Sequence, residues 1–523
     1  MPTAPFKSKY DVIVIGASLA GLSCALELKK HGYDVLVLEQ HNLPGGVATS
    51  FVRGGVEIEA SLHEMIGVGS DLHPLRVRRY FEKLGAKIDW VRIPYCYRFV
   101  SGDIDVRIRA GHDGDYSAPS LDIANACGDP DGKLFQKLMD FFALCHKVYQ
   151  SANSVNTGGK INKLSLYFKH HDFVTVAGYS TKEVFEAFKF PQKVIDILSA
   201  YWIYMASPID ELPFTLYGYM IADYFGYGPY IPAHTSHDMA ANLEAAAEKQ
   251  GIQVEFCQKV DKIVVNNCKV QGVRLASGQE IAADFVVSGA YPNTVYSSMI
   301  EPKSEVPPIA NKTVRAMEVS VSVFSVILLL DASADELGIT DYATFYATDG
   351  MDTSAIFARG RTDGDWDYIT SVCPNVIHKN ASPEGTCLYS ITYLPGPDAF
   401  EDIDLEHYQE YKGRHVADFL DKESKRLGVN LEDHILEIVV ETPLTVSHYT
   451  GAYHGAIYGY RNMMNNHAVA RTLTKGKEYF IDGLAFAGAH QICGDGMAPA
   501  FDNGLLGAQD VMAMDAKRKG AKR

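Results

Sequence analysis

Residues 11–39, DVIVIGASLAGLSCALELKKHGYDVLVLE, constrain the fold more than any other stretch of the chain. A short apolar run, 12–15, stops at Gly16. The segment 18–30 then carries Leu19, Leu22, Cys24 and Leu26 at helical spacing, and a turn follows at His31 and Gly32. A second apolar run, 35–38, ends in Glu39. Spacing that goes from a continuous apolar run to a helical stripe and back predicts strand, helix, strand: one βαβ unit.

The turn between strand and helix reads G-x-S-x-x-G, with Gly16, Ser18 and Gly21. In a dinucleotide site the first glycine allows the sharp bend, the second lets backbone approach a pyrophosphate, and the third packs helix on strand. The phosphates rest on the free N–H groups of the helix start. Ser18 stands at the second position; its side chain takes little room and its hydroxyl can face a phosphate. Glu39 closes the second strand, where a carboxylate accepts both ribose hydroxyls and repels a 2′-phosphate. FAD or NAD therefore fits better than NADP. A buried βαβ unit that binds nothing shares the glycine pattern, but the acid at the strand end favours a dinucleotide.

At 523 residues the chain is too long for one simple core, so two or three substructures are expected. A net charge of −16, from 48 basic and 64 acidic residues, argues against nucleic acid as a partner. Nine cysteines with no C-x-x-C suit a reducing compartment and argue against a disulfide framework or a zinc site. His234 and His237 are three apart, but no third ligand lies within reach, so no metal is expected. The longest apolar stretch, 319–330, is interrupted by serines and too short to span a bilayer. Residues 1–9 do not read as a signal peptide. The basic cluster at 517–523 is expected to be solvated, with weak attraction to an anionic membrane as the alternative. A cytoplasmic protein, with peripheral membrane contact possible in principle, is the resulting expectation; the sequence leaves the oligomeric state open.

Further along, Gly45 and Gly46 form a tight turn soon after Glu39. Helices are expected over 72–87, 134–149, 181–200, 236–250, 405–427 and 504–516, strands over 88–109, a strand meander over 254–288, and a strand across 313–331. The stretch 442–460, rich in Gly, Thr and Tyr, reads as a structured loop. Aromatics crowd 201–230, among them Tyr201, Trp202, Tyr204, Tyr219, Tyr224 and Tyr227. They suit either an aromatic core or the lining for an elongated apolar ligand.

Taken in order, Gly16-x-Ser18-x-x-Gly21 with Glu39, Gly45-Gly46, the meander ending at Gly289-Ala290, Thr442-Pro443 with 455–459, and 486–489 with Gly494-Asp495-Gly496 resemble the phytoene desaturase-like FAD-dependent oxidoreductases. These include carotenoid desaturases, carotenoid isomerases and retinol saturases, within the flavin amine oxidase superfamily. The resemblance implies an α/β fold: a discontinuous Rossmann-like FAD domain with an inserted substrate domain of mixed sheet and helices. Its pieces would be 1–100, 236–300 and 441–523 for FAD, 101–235 for a helical region and 301–440 for the substrate sheet. It implies FAD contacts from Gly16, Ala17, Ser18, Ala20, Gly21, Glu39, Gln40, Gly45, Gly46, Val47, Ala48, Val260, Gly289, Gly488, Ala489, Asp495, Gly496 and Met497. Three segments depart from the family pattern: Ser61 replaces a glycine in 59–63, Pro232-Ala233-His234-Thr235 replaces a Pro-x-Gly-Gly, and Cys493-Gly494-Asp495-Gly496 replaces a Pro-Gly-x-Gly. All three would lie near the flavin and make the site more polar.

The expected chemistry is hydride transfer between a substrate carbon and flavin N5, by an oxidoreductase or isomerase acting on C–C bonds. The apolar substrate would be a polyene, isoprenoid, retinoid or unsaturated fatty acid. His63, His234 and Asp495 are the candidates for proton transfer, by the family position of their segments. A flavin amine oxidase with the tyrosines as an aromatic cage is the alternative, and a non-catalytic lipid- or pigment-binding flavoprotein is another.

Overall fold

A computed structural model of the chain describes residues 5–156, 169–348, 350–362, 366–400, 403–404, 406–466, 480–491 and 493–521. Lys522 and Arg523, the end of the basic cluster, lie outside the described residues. Among the described residues no helix is long and apolar enough to cross a membrane.

The βαβ unit forms as its apolar spacing predicts. Strand Lys9–Ile15 pairs in parallel with strand Val35–Leu38, and helix Leu19–Lys30 connects them. Ser18 caps that helix, its hydroxyl oxygen accepting the Gly21 N–H at 3.2 Å. Burying each of Leu22, Leu26 and Leu28 contributes roughly 1.5–3 kcal/mol. Gly21 has no room for a side chain: a Cβ there would sit 2.1 Å from the Gly16 carbonyl oxygen.

Distant pieces of chain complete this sheet. Strand Gln253–Glu255 adds in parallel to Val35–Leu38, and Glu280–Ser288 adds in parallel to Lys9–Ile15. Along its other edge Glu280–Ser288 pairs first with the hairpin strand Lys269–Leu275, antiparallel, and then with Leu484–Phe486, parallel. Helix Met497–Ala521 packs back on the first helix, with Gly504 pressed so close that a Cβ would meet the Ala20 carbonyl oxygen at 2.3 Å. The sheet therefore draws on chain segments almost 500 residues apart.

The second sheet has seven strands in the order Ile435–Glu441, Phe324–Leu330, Cys387–Tyr393, Tyr368–Val372, Ala343–Ala347, Tyr95–Ser101 and Ile104–Arg109. Every neighbour pair is antiparallel except Ala343–Ala347 with Tyr95–Ser101. Strand Tyr95–Ser101 is thus a strand of the second sheet, although the expected boundary at 100 groups nearly all of it with the part that holds the glycine-rich turn. Helices Lys133–Asn156 and Phe214–Tyr227 pack on each other in a helical region beside these sheets.

Three local expectations need correction. The helix expected over 181–200 is two helices, Thr181–Ala187 and Gln192–Ser199, followed by a 3-10 turn, Ala200–Met205. Pro191 breaks it, because a proline cannot continue the backbone hydrogen bonding and disfavours helix just before it. Within 313–331 the strand is only Phe324–Leu330, and helix Pro308–Arg315 overlaps the start of the stretch. The loop expected over 442–460 opens with helix Pro443–Thr450, which Thr442 caps reciprocally with Thr445 and left-handed Gly451 terminates.

Candidate functional site

The parallel strands of the first sheet end together, and their carboxyl ends form the floor of a cleft. Ile15-Gly16, Leu38-Glu39 and Gly289-Ala290 line a cavity of about 800 Å³ that also touches Gln40, Gly46, Val47 and Val260. Glu39 is buried there, its carboxylate accepting the Ala17 N–H at 2.7 Å and the His41 N–H at 2.8 Å. The carboxylate is thereby held in one orientation, at the strand end. Gly45 has φ +117°, and a Cβ on it would lie 2.0 Å from the Ala48 carbonyl oxygen. Its N–H donates to the Ala17 carbonyl at 2.9 Å, which ties the 45–46 turn to the glycine-rich turn. The result is a groove of main chain with its side chains withdrawn, the shape a long phosphate-bearing cofactor requires.

This groove runs into a second cavity of about 370 Å³. Both are lined by Ser18, Gly46, Val47, Ala60, Ser61, Gly289 and Ala290, so they adjoin. On one side of the second cavity lie Ala20, Gly45, Ala48, Gly488, Ala489, Asp495, Gly496 and Met497, the last opening the helix Met497–Ala521. On the other lie Met205, Leu216, Met220 and the tyrosines Tyr204, Tyr219 and Tyr224. Val323, Ser325, Thr370 and Thr392 contribute from the second sheet.

Every expected cofactor contact lines one of the two cavities except Ala17 and Gly21. Those two act one layer back: Ala17 orients Glu39, and Gly21 lets the helix meet the turn. The residues present fit a flavin dinucleotide, on the strength of the glycine cradle, the fixed Glu39 carboxylate and the continuity of the cleft.

The three proton-transfer candidates are not brought together. His63 and Asp495 line the second cavity. His234 is exposed and lines neither, so its segment is not at the cavity as the resemblance implied. That segment reaches the site only indirectly. The next residues, Ser236 and Thr235, bond to Glu59 and Glu57: the Ser236 N–H and hydroxyl donate to Glu59 at 2.6 and 2.8 Å. Glu59 also accepts the Ser61 and Leu62 N–H groups, so it anchors the 59–63 segment to the start of helix His237–Lys249.

Asp495 accepts the Gly459 N–H at 2.8 Å and the Asn462 amide at 3.0 Å. It therefore fixes the 459–462 segment against the cavity. Burial pushes the His63 imidazole down to about 4, so it is neutral at pH 7. Ser61 donates to the Val47 carbonyl at 2.7 Å, which fastens the loop that takes the place of the family glycine.

Of the aromatic candidates, Tyr204, Tyr219 and Tyr224 line the cavity, while Tyr201, Trp202 and Tyr227 do not. Tyr201 is fully buried, donates to the Cys96 carbonyl at 2.7 Å and stacks on Tyr204 at 5.2 Å. Trp202 packs on Tyr368, and Tyr227 on Tyr149. The aromatic stretch thus divides: one layer lines the cavity and the next is core.

Sequence reasoning missed Glu64, His490 and Glu441. Glu64 is 6% exposed and lines the cavity next to His63. Burial raises its carboxyl to about 8. The signal was one acid in the apolar run 62–68. His490 follows Gly488-Ala489 and is pushed down to about 3 by burial, with its Nε2 buried and without a partner. Glu441, at the end of an edge strand, lines both cavities and is raised to about 8 by burial, with the Glu59 charge adding to the effect.

Comparison with known proteins agrees with this geometry. A family model described as flavin containing amine oxidoreductase matches residues 112–512, and one described as NAD(P)-binding Rossmann-like domain matches 14–84. The chloroplastic prolycopene isomerase of Daucus carota is 22% identical over 97% of this chain and 80% of its own length. The all-trans-retinol 13,14-reductase of Danio rerio is 24% identical over 86% of this chain and 77% of its own. The 4,4′-diaponeurosporene oxygenase of Staphylococcus haemolyticus is 23% identical over 98% of both chains. Among solved structures, an oxidoreductase from Methanosarcina mazei superposes with a TM-score of 0.61 at 16% identity, over 96% of this chain and 100% of that one. Putrescine oxidase bound to putrescine gives a TM-score of 0.58 at 13% identity, over 97% and 99%.

Proposed function

The chain belongs to the flavin-containing amine oxidoreductase family, as a phytoene desaturase-like flavoenzyme, and on that premise we propose that it holds FAD and acts on a C–C bond of a long apolar polyene or related isoprenoid, retinoid or unsaturated lipid. The observation that carries this reading is the continuity of the cleft: a main-chain groove that starts at Glu39 opens into a cavity walled by Met205, Leu216, Met220, Tyr204, Tyr219 and Tyr224. The names of the relatives, an isomerase, a reductase and an oxygenase of polyenes, support it.

Bound in the cleft, the flavin supplies hydride exchange with a substrate carbon. The chain supplies the rest. Glu39 and the first helix N-terminus hold the adenosine and phosphate end. The N–H groups that open helix Met497–Ala521 favour negative charge at the flavin end, whose segment Asp495 keeps in place. The buried walls exclude water from the reacting carbon. His63, neutral at pH 7, serves as a proton acceptor rather than a resting acid.

The test is direct. The purified protein is expected to be yellow, to release FAD on denaturation as identified by mass, and to show flavin bleaching or recolouring when mixed anaerobically with polyenes. A colourless protein that takes up no FAD sinks the cofactor. Bleaching by amines with peroxide formation, and none by polyenes, moves the substrate to the amine oxidase side.

A further inference from the structure

Most polar groups on the wall of the second cavity already have partners. Ser325 and Thr392 share a hydrogen bond at 2.8 Å, and Thr370 donates to the Thr392 carbonyl at 3.3 Å. Asp495 is engaged by Gly459 and Asn462. Glu64, Tyr204 and the Nε2 of His490 differ, and of these Glu64 and Tyr204 stand side by side. Both carboxyl oxygens of Glu64 and the Tyr204 hydroxyl are buried and make no hydrogen bond within the protein. The Tyr201 and Tyr204 hydroxyls are near enough to Glu64 to ease its charge, but neither meets it at bonding distance and angle. Tyr201 is committed to the Cys96 carbonyl. Both Glu64 and Tyr204 line the cavity.

The surroundings keep this acid uncharged. Tyr201, Tyr204, Tyr224, Tyr342, Cys96 and Tyr97 stand around Glu64, and burial drives every one of them up, away from ionisation. His63 beside it is driven down by burial and is neutral too. No cation among these groups holds a carboxylate in place. A carboxylic acid and a phenol buried without partners are costly unless a ligand bonds to them.

We infer that Glu64 and Tyr204 form a seat for an uncharged oxygen function, a hydroxyl or carbonyl, carried by the otherwise apolar ligand of this cavity. The inference rests on the polyene reading above and adds the group the polyene bears. The Glu64 carboxyl and the Tyr204 hydroxyl donate to the ligand oxygen, and a ligand hydroxyl donates back to the second Glu64 oxygen. A methyl end leaves all of these atoms unpaired, which is how a polar seat rejects an analogue lacking the polar group. An ammonium end requires Glu64 to ionise, which its burial opposes.

The experiment uses the FAD-loaded protein and matched polyenes ending in CH2OH, CHO, CH3 or CH2NH3+, titrated anaerobically and followed by the polyene absorbance. The alcohol and aldehyde are expected to bind at least about tenfold more tightly than the hydrocarbon, the ratio one well-formed hydrogen bond supplies. That preference should vanish in Glu64→Leu, shrink several-fold in Tyr204→Phe and survive in Glu64→Gln, which keeps a donor and an acceptor. Infrared difference spectra give a readout free of variant folding: binding of the alcohol to the wild type should shift a protonated carboxyl stretch that Glu64→Gln lacks. Equal binding of alcohol and hydrocarbon overturns the seat and leaves the polyene reading standing. A preference that survives both Glu64→Leu and Tyr204→Phe overturns it as well. Tightest binding of the ammonium ligand, abolished in Glu64→Gln, overturns it in favour of a carboxylate–amine pair. FAD uptake with no polyene bound removes seat and polyene reading together.

Discussion

At the nucleotide end of the cleft, Gly21, Gly45 and Gly289 let main chain approach main chain, and Gly16 takes a positive φ at the turn; at the ligand end, His63, Glu64, Tyr204 and Tyr224 present side chains to a cavity. The first end offers N–H groups and a single fixed carboxylate. The second offers shape and a few polar atoms left unpaired. One end suits a cofactor shared by many enzymes, and the other suits whatever substrate distinguishes this one.

If that division holds, damage at the nucleotide end should be the most severe. Gly21→Ala forces a Cβ to within 2.1 Å of the Gly16 carbonyl oxygen, so the helix must separate from its turn. The expected outcome is a protein with no bound flavin, read from the absorbance of the purified protein, and a loss of stability of roughly 3 kcal/mol or more. Glu39→Ala removes the acceptor of the Ala17 and His41 N–H groups as well as the proposed ribose contact. FAD affinity should fall on the order of 100-fold, about 2.7 kcal/mol, in an equilibrium titration.

At the ligand end the expected effects are on pH dependence rather than on cofactor. Glu64 titrates at about 8 when folded and near the ordinary carboxyl value when unfolded. Between those values the folded state binds the extra proton, so wild-type stability falls as pH rises through this window and levels off above it. Glu64→Gln should therefore match the wild type at pH 4 and exceed it at pH 9, by on the order of 3 kcal/mol in urea unfolding. Identical pH profiles would show that the carboxyl is not held neutral. Asp495→Ala removes the acceptor of the Gly459 N–H and one acceptor of the Asn462 amide, which keeps the Met205 carbonyl. A loss of about 1–3 kcal/mol in stability is expected, with weaker substrate binding and FAD retained. His234→Ala should be the mildest: the residue is exposed and apart from both cavities, so flavin content and anaerobic bleaching rate should stay at wild-type values.

The same contrast accounts for what could be read in advance. The glycine-rich turn and Glu39 are local: spacing within 29 residues places them on one sheet edge, and the structure builds that edge as expected. Gly289 and the 488–497 segment were legible because small residues follow the end of a strand at both places. The ligand end draws on 63–64, 203–224, 323–325, 392, 441 and 458, which meet only through tertiary packing. Nothing in the spacing of Glu64 or Glu441 says that they share a cavity wall. Nor does spacing say that Tyr204 faces the cavity while Tyr201, one helical turn away, is sealed behind it. Pro191 and the Thr442–Thr445 cap are local signals, but the first sits inside a helical stripe and the second inside a glycine-rich stretch, and each surrounding pattern outweighs it.

Helix Leu19–Lys30 buries part of its surface against Met497–Ala521, through the close contact at Gly504. A ribosome adding about 5–20 residues each second needs tens of seconds to get from one helix to the other. Helix His237–Lys249 covers part of the first helix earlier, but the face that meets Met497–Ala521 stays bare until the last helix is made. A half-covered domain of this kind exposes apolar surface for the whole interval, the condition under which new chains aggregate or need chaperones.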